Sequence, residues 1–293
     1  MLFSTLLNVS AQNVIYVNAL ASGNNNGSSW TNAYTSLDSA LAYSQSGDSI
    51  WVAKGIYKPD NSNKRFTLLS GRKLYGGFAG TETLFAQRNV LGNATYLDGD
   101  INNLGQANDN VDNVLYANNL TSTAVVDGFT IRNGYQYTIG GSISNGGGGA
   151  RISNSRVTFN HCTFTDNYTY MRGGAIYADN SSTVELNNCT FHNNSSGNNT
   201  QSVGGAVFVN SGTLRINGCH FYENRGRYGG AIYTYSPNVT VDRTIFSGNE
   251  ATAQDGGAIY IGSESTYNIY NSLFVGNYAE DNCAAIYTST TLN

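Results

Sequence analysis

The chain has 293 residues, a net charge of −4, only 12% charged side chains and two prolines. No basic stripe is present to neutralise phosphates, which excludes a nucleic-acid binder. No apolar run reaches about 18 residues, which excludes a membrane-spanning helix. Gly, Asn, Ser, Thr and Tyr outweigh the residues that long helices need, so the composition points to turns and strands.

In chain order, residues 1–12, "MLFSTLLNVSAQ", carry Leu2, Phe3, Leu6 and Leu7 ahead of Val9-Ser10-Ala11. A short apolar run before small residues predicts the remnant of a secretory signal, and hence a secreted or outer-membrane, cell-surface-exposed protein. Residues 13–134 are expected to form an N-terminal cap and the opening coils of a solenoid. Within them "TSLDSALAYSQ", residues 35–45, places Leu37, Ala40 and Leu41 at helical spacing behind a Ser36 N-cap. A short helix there would cover an open sheet edge. Residues 48–57, 73–78 and 95–100 are predicted strands. The stretch 124–134, "AVVDGFTIRNG", is a first loose copy of the repeat that follows.

Residues 135–293 repeat at uneven intervals, which signals a solenoid. Gly-Gly-Ala occurs at Gly173-Gly174-Ala175, Gly204-Gly205-Ala206, Gly229-Gly230-Ala231 and Gly256-Gly257-Ala258. Degenerate copies are assigned to Gly148-Gly149-Ala150 and Cys283-Ala284-Ala285. A phenylalanine column runs through Phe164, Phe191, Phe221, Phe246 and Phe274, and three residues on stand Asn167, Asn194, Asn224, Asn249 and Asn277. Small residues Cys162, Cys189, Cys219, Thr244 and Ser272 precede the phenylalanines by two. Val157 and Phe159, and their equivalents in later copies, precede them by seven and five.

Paired positions share a strand face, and the odd interval between the pairs requires a corner. Asn160, Asn187, Asn217, Asp242 and the residues after them supply the bend chemistry. The predicted fold is therefore all-β, a right-handed parallel β-helix with a short N-terminal capping helix. Phenylalanines stack inside and asparagines form an inward hydrogen-bonded ladder. Loops of unequal length between each Asn and the next Gly-Gly keep the rungs in register. The last residues, "AAIYTSTTLN", stop one strand into a coil without a lid, so the natural chain is expected to continue.

The F-x-x-N and G-G-A-[ILV] pair resembles the repeat of chlamydial polymorphic outer-membrane proteins, which are surface-exposed autotransporter passengers and adhesins. The opening residues 15–59, with "LYGGFAGTET" and "VVDGFTIRNG", resemble secreted parallel β-helix proteins of the pectin-lyase-like superfamily. That resemblance spans about residues 14–287. It implies the fold strongly but leaves function open, because the superfamily hosts lyases, hydrolases, adhesins and stalks.

Candidate chemistry is sparse. Glu185 and Arg215 share a column and predict a surface ion pair rather than a lyase site. Asp166 and Glu223 share another, two coils apart, with Asn193 between them, a poor match for a glycosidase pair. His161, His192 and His220 fall in three different columns, so no metal site is predicted. Cys162, Cys189 and Cys219 share a column close enough for a disulfide, but Thr244 and Ser272 in the same column favour free buried thiols.

Beside each Gly-Gly-Ala, Ile176, Val207, Ile232, Ile259 and Ile286 alternate with Tyr177, Phe208, Tyr233, Tyr260 and Tyr287. With the aliphatics inward, the rings would line the surface as a ladder that stiffens the shaft or stacks on sugars. The loops bearing Tyr168, Tyr170, Arg172, Arg225, Arg227 and Tyr228 are the other recognition surface. The expected function is a non-enzymatic adhesin-like passenger or structural shaft without a cofactor, meeting glycans or host or neighbouring cell-surface proteins. The competing expectations are a polysaccharide lyase or glycoside hydrolase, and a glycan-binding module.

Overall fold

The computed structural model describes residues 13–102, 105–137, 146–262 and 266–288. The leader-like stretch 1–12 lies outside them. Each full coil turns through four strands, as in Arg156–Asn160, Thr163–Thr165, Tyr168–Thr169 and Ile176–Asp179. Equivalent strands pair in parallel with the coils before and after, giving, among the described residues, sheets of nine, eight, six and eight strands, here the first to fourth sheets in order around the coil. Strands of two to six residues survive because every face is bonded along the stack rather than within the strand.

The corners explain the spacing. Between the first and second sheets the left-handed residue is Gly128, His161, Asn188, Gly218, Arg243 or Asn271, one place after the Asn/Asp column. Those asparagines bond along the stack, Asn187 Nδ2 donating to Asn160 Oδ1 at 2.9 Å. A second left-handed column, between the second and third sheets, holds Asn133, Asp166, Asn193, Glu223, Gly248 and Gly276. A third holds Gly147, Gly173, Gly204, Gly229, Gly256 and Cys283. The glycine after this third bend is required for room: a Cβ on Gly205 would meet the Gly230 carbonyl oxygen at 2.1 Å.

This register corrects one alignment. Ala150 pairs with Ile176 and Arg151 with Tyr177, so Gly147, not Gly148, begins the first copy. Four successive glycines made the frame ambiguous by one residue, and the strand pairing resolves it.

Inside, Phe164, Phe191, Phe221, Phe246 and Phe274 stack with centroids 4.5–5.1 Å apart. Ile131, Leu97 and Tyr57 continue this column toward the N-terminus. Alongside, each ladder asparagine donates to the next: Asn167 Nδ2 to Asn194 Oδ1 at 3.0 Å, Asn194 to Asn224 at 3.0 Å, Asn224 to Asn249 at 2.9 Å and Asn249 to Asn277 at 2.8 Å. The small column has a hydrogen-bonding reason. Cys162, Cys189 and Cys219 turn their thiols onto the carbonyl two residues back, as the hydroxyls of Thr244 and Ser272 do. All three thiols are free and buried, and burial pushes the central one, Cys189, up.

At the N-terminal end the helix Leu37–Tyr43 is capped by Ser36, whose side chain accepts from the Ser39 N–H. Leu37, Ala40 and Leu41 enter the same core as Val17, Ile50 and Leu74. Asp38 in its first turn accepts from the Asp60 N–H at 2.9 Å and Asn61 Nδ2 at 2.6 Å. Burial outweighs the main-chain bond and pushes this carboxyl up to about 6 from 3.8. A raised folded-state pKa means that the folded chain binds the proton more tightly than the unfolded one. Stability should therefore fall as pH rises through the window between those two values. Asp38→Asn is expected to flatten that slope, read as unfolding temperatures of both proteins at about pH 4.5 and 7.

Candidate functional site

One long departure from the repeat is the segment 79–94, between the strands Lys73–Phe78 and Thr95–Asp98. Its start is tied by Glu82, whose carboxylate accepts from the N–H groups of Ala79, Gly80 and Thr81 at 2.6, 3.0 and 3.0 Å. Burial alone would raise this carboxyl, but those main-chain donors hold it below its usual value. Trp30 Nε1 donates to the Glu82 carbonyl at 2.8 Å. Phe85 then packs edge-on to Tyr75 at 4.8 Å, and Trp51 stacks on Phe78 at 4.7 Å beneath it. Gly77 and Gly128 let the segment lie flat: a Cβ on either would come within 2.9 Å of Val90. Arg88, nearly buried, pairs with Asp127.

Folded this way, the segment overhangs the outer face of the second sheet and encloses a groove of about 690 Å³. One wall is apolar, formed by Phe85, Ala86, Val90, Leu91 and Ala94. The floor is a column of threonines, Thr130, Thr163 and Thr190, in parallel register. His161 and Asn188, both left-handed corner residues, close the side next to the first sheet. His161 Nδ1 lies 3.2 Å from Asp127 Oδ1, so Arg88, Asp127 and His161 form one cluster there. A groove of this size with an apolar wall and a polar floor suits a small or linear ligand.

The candidates read from sequence fall elsewhere. Arg215 Nη1 and Glu185 Oε1 are 3.4 Å apart on the exposed face of the first sheet. Asp166 and Glu223 belong to the left-handed bend column, with φ of 55° and 54°, and Asn193 between them has 53°. A bend explains those side chains without chemistry. His192 and His220 lie closer than their columns implied. His192 stacks on Tyr222 at 4.9 Å, and His220 packs against the same ring at 4.7 Å. Burial lowers the His220 pKa, and its Nε2 lies 2.9 Å from Ser247 Oγ. His161 stays apart at the groove. Among the described residues, no three His, Cys, Asp or Glu side chains gather as a metal-ion site.

The aromatic column needs correcting. Ile176, Val207, Ile232 and Ile259 do face the core. The rings beside them point out of the coil, yet Tyr177, Phe208 and Tyr233 are only 2%, 1% and 5% exposed. Val203 and Tyr228, from the covering loops, close over them as a second small core. Arg151 stacks over Tyr177 at 4.1 Å and pairs with Asp179 in a buried salt bridge of 2.6 Å. Tyr233 and Tyr235 join hydroxyls at 2.7 Å. Only Tyr260 and Tyr287, at the last coils, keep partly exposed rings, stacked at 4.6 Å. An open five-ring platform is therefore absent, because the loops that roof it have no period a sequence could show.

A comparison with known families matches residues 168–293 to the one described as the right handed beta helix region. With four parallel sheets wound around one core, this decides the architecture. The chain is a right-handed parallel β-helix. No curated protein and no solved structure matches it. No helix among the described residues is long and apolar enough to cross a membrane.

Proposed function

We propose that this β-helix is the non-enzymatic shaft of a secreted or cell-surface protein, an adhesin-like passenger that uses the groove beneath segment 79–94 to hold a glycan. The observation that carries this reading is the contrast between shaft and groove. The repeat positions are consumed by internal ladders, whereas segment 79–94 builds a roofed cleft that the coils do not need for closure. The threonine floor repeats at about 4.8 Å along the axis, a spacing suited to hydroxyl contacts with successive sugar units.

The carboxylate held against the groove side supports a binding role over a catalytic one, since Asp127 is engaged by both Arg88 and His161. A polysaccharide-active alternative is favoured by one observation, the meeting of Arg88, Asp127 and His161 at the groove side. Incubation with pectin, alginate and chondroitin separates the two. The expected result is no unsaturated uronate by absorbance and no new reducing ends; either product from the purified chain would establish the alternative. Binding itself is tested on a glycan array with Thr163→Trp, which fills the floor and should abolish capture. Capture unaffected by Thr163→Trp would remove the groove from the reading.

A further inference from the structure

The lining of the groove limits which saccharide fits it. Arg88 is the one permanently charged side chain among its described lining residues, and Asp127 cancels that charge. A carboxylate or sulfate on the ligand would meet no free cation there, and burying it unpaired is costly. The site therefore suits an uncharged chain.

His161 sets a second condition. Its Nδ1 lies 3.2 Å from Asp127 Oδ1, and a carboxylate paired with an arginine can only accept. The hydrogen of the neutral ring therefore sits on Nδ1, which leaves Nε2 as an acceptor. The side chain is 53% exposed and lines the groove, so Nε2 is open to an N–H or O–H of the ligand. The hydroxyls of Thr130, Thr163 and Thr190 and the amide of Asn188 can each donate or accept. His161 is thus the side chain that specifies a donor.

The wall sets a third condition. Leu91 is 98% exposed and Phe85 44%, so a broad apolar surface faces water. Hydroxyl edges of a plain hexose leave much of it wetted, whereas a methyl group covers it favourably. An acetamido substituent has both required parts, a donating N–H and a methyl beyond its carbonyl.

We propose that the groove selects an uncharged saccharide bearing N-acetyl groups. His161 Nε2 accepts from the acetamido N–H, and Phe85 and Leu91 cover the methyl. Arg88 and Asp127 act as positioning residues, holding the tautomer of the imidazole and tying segment 79–94 to the coil. This selectivity rests on the groove being the glycan site proposed above.

Calorimetric titration of the whole chain at about pH 8 tests this with chitohexaose, cellohexaose and hexagalacturonate. The first two share a linkage and differ in the acetamido group, and the third adds charge. Chitohexaose should bind at least about tenfold more tightly than either of the others. His161→Gly places at this bend the residue found at the equivalent positions Gly128 and Gly218, so the left-handed corner is kept while the ring is lost. It should weaken chitohexaose binding by about tenfold, and Leu91→Ser by about threefold or more. Unfolding temperatures near that of the parent would show both variants intact. Cellohexaose binding as tightly as chitohexaose, hexagalacturonate binding more tightly, or chitohexaose affinity unchanged in His161→Gly would overturn the proposal. Equal binding of the two uncharged probes, lost in Thr163→Trp, would sink the selectivity and keep the groove as a glycan site. Chitohexaose binding that survives Thr163→Trp would remove both. No chitohexaose binding at all would also sink this proposal, leaving the groove reading to the glycan array.

Discussion

Phe221→Ala is expected to destabilise the protein by about 3–5 kcal/mol, the range for truncating a fully buried aromatic. Phe221 is inaccessible to solvent and lies between two parallel rings, 4.5 Å from Phe191 and 5.1 Å from Phe246. Neither neighbour can close the gap, because each is pinned at rung spacing by its own strand pairs. Gln201→Ala, on the exposed loop between Ser196 and Val203, is the control and should be near neutral. Urea unfolding followed by circular dichroism reads both. Equal, mild effects would show that the rings contribute far less than their burial implies.

The second large effect is at Asn224. Its Nδ2 donates to the carbonyls of Phe191 and Tyr222 at 2.9 and 3.2 Å and to Asn249 Oδ1 at 2.9 Å. Its Oδ1 accepts from both the N–H and Nδ2 of Asn194. Removal orphans groups on two neighbouring coils, each costing about 1–3 kcal/mol, so Asn224→Ala should rival the loss of the phenylalanine. Asn224→Leu keeps the volume but not the bonds and should be no better. If leucine restored stability in the same urea titration, the column would be held by packing and the ladder would be incidental. In a solenoid such losses fall on neighbouring coils first, so the transition should broaden as well as shift.

The parts that could be read from sequence are those with an invariant offset. The phenylalanine and asparagine columns keep a separation of three residues in every copy, and the spacing forced a corner where Asn188 and Gly218 indeed adopt left-handed φ. The capping helix was legible because Ser36, Leu37, Ala40 and Leu41 form a local pattern. What escaped depended on contacts without period. The bend column at Asp166, Asn193, Glu223 and Gly248 varies between acid, amide and glycine, so its carboxylates looked like possible chemistry. Arg151 was hidden in the aromatic column by the one-residue ambiguity of the glycine run. The roof over Tyr177, Phe208 and Tyr233 comes from loops of unequal length. The groove needed Glu82 and Arg88 to fold segment 79–94 back onto Gly128, a meeting of distant residues that no window of sequence contains.

The parallel pairing of every sheet has a mechanical consequence. Strands run around the shaft, so their hydrogen bonds lie along its axis, and a pull between the two ends loads the coils in series. Tension would peel one turn at a time from an end instead of shearing the whole body. Each released turn, such as the 27 residues from Asn167 to Asn194, would trade about 4.8 Å of height for roughly 90 Å of extended chain. A rod wound in this way lengthens under load well before it breaks.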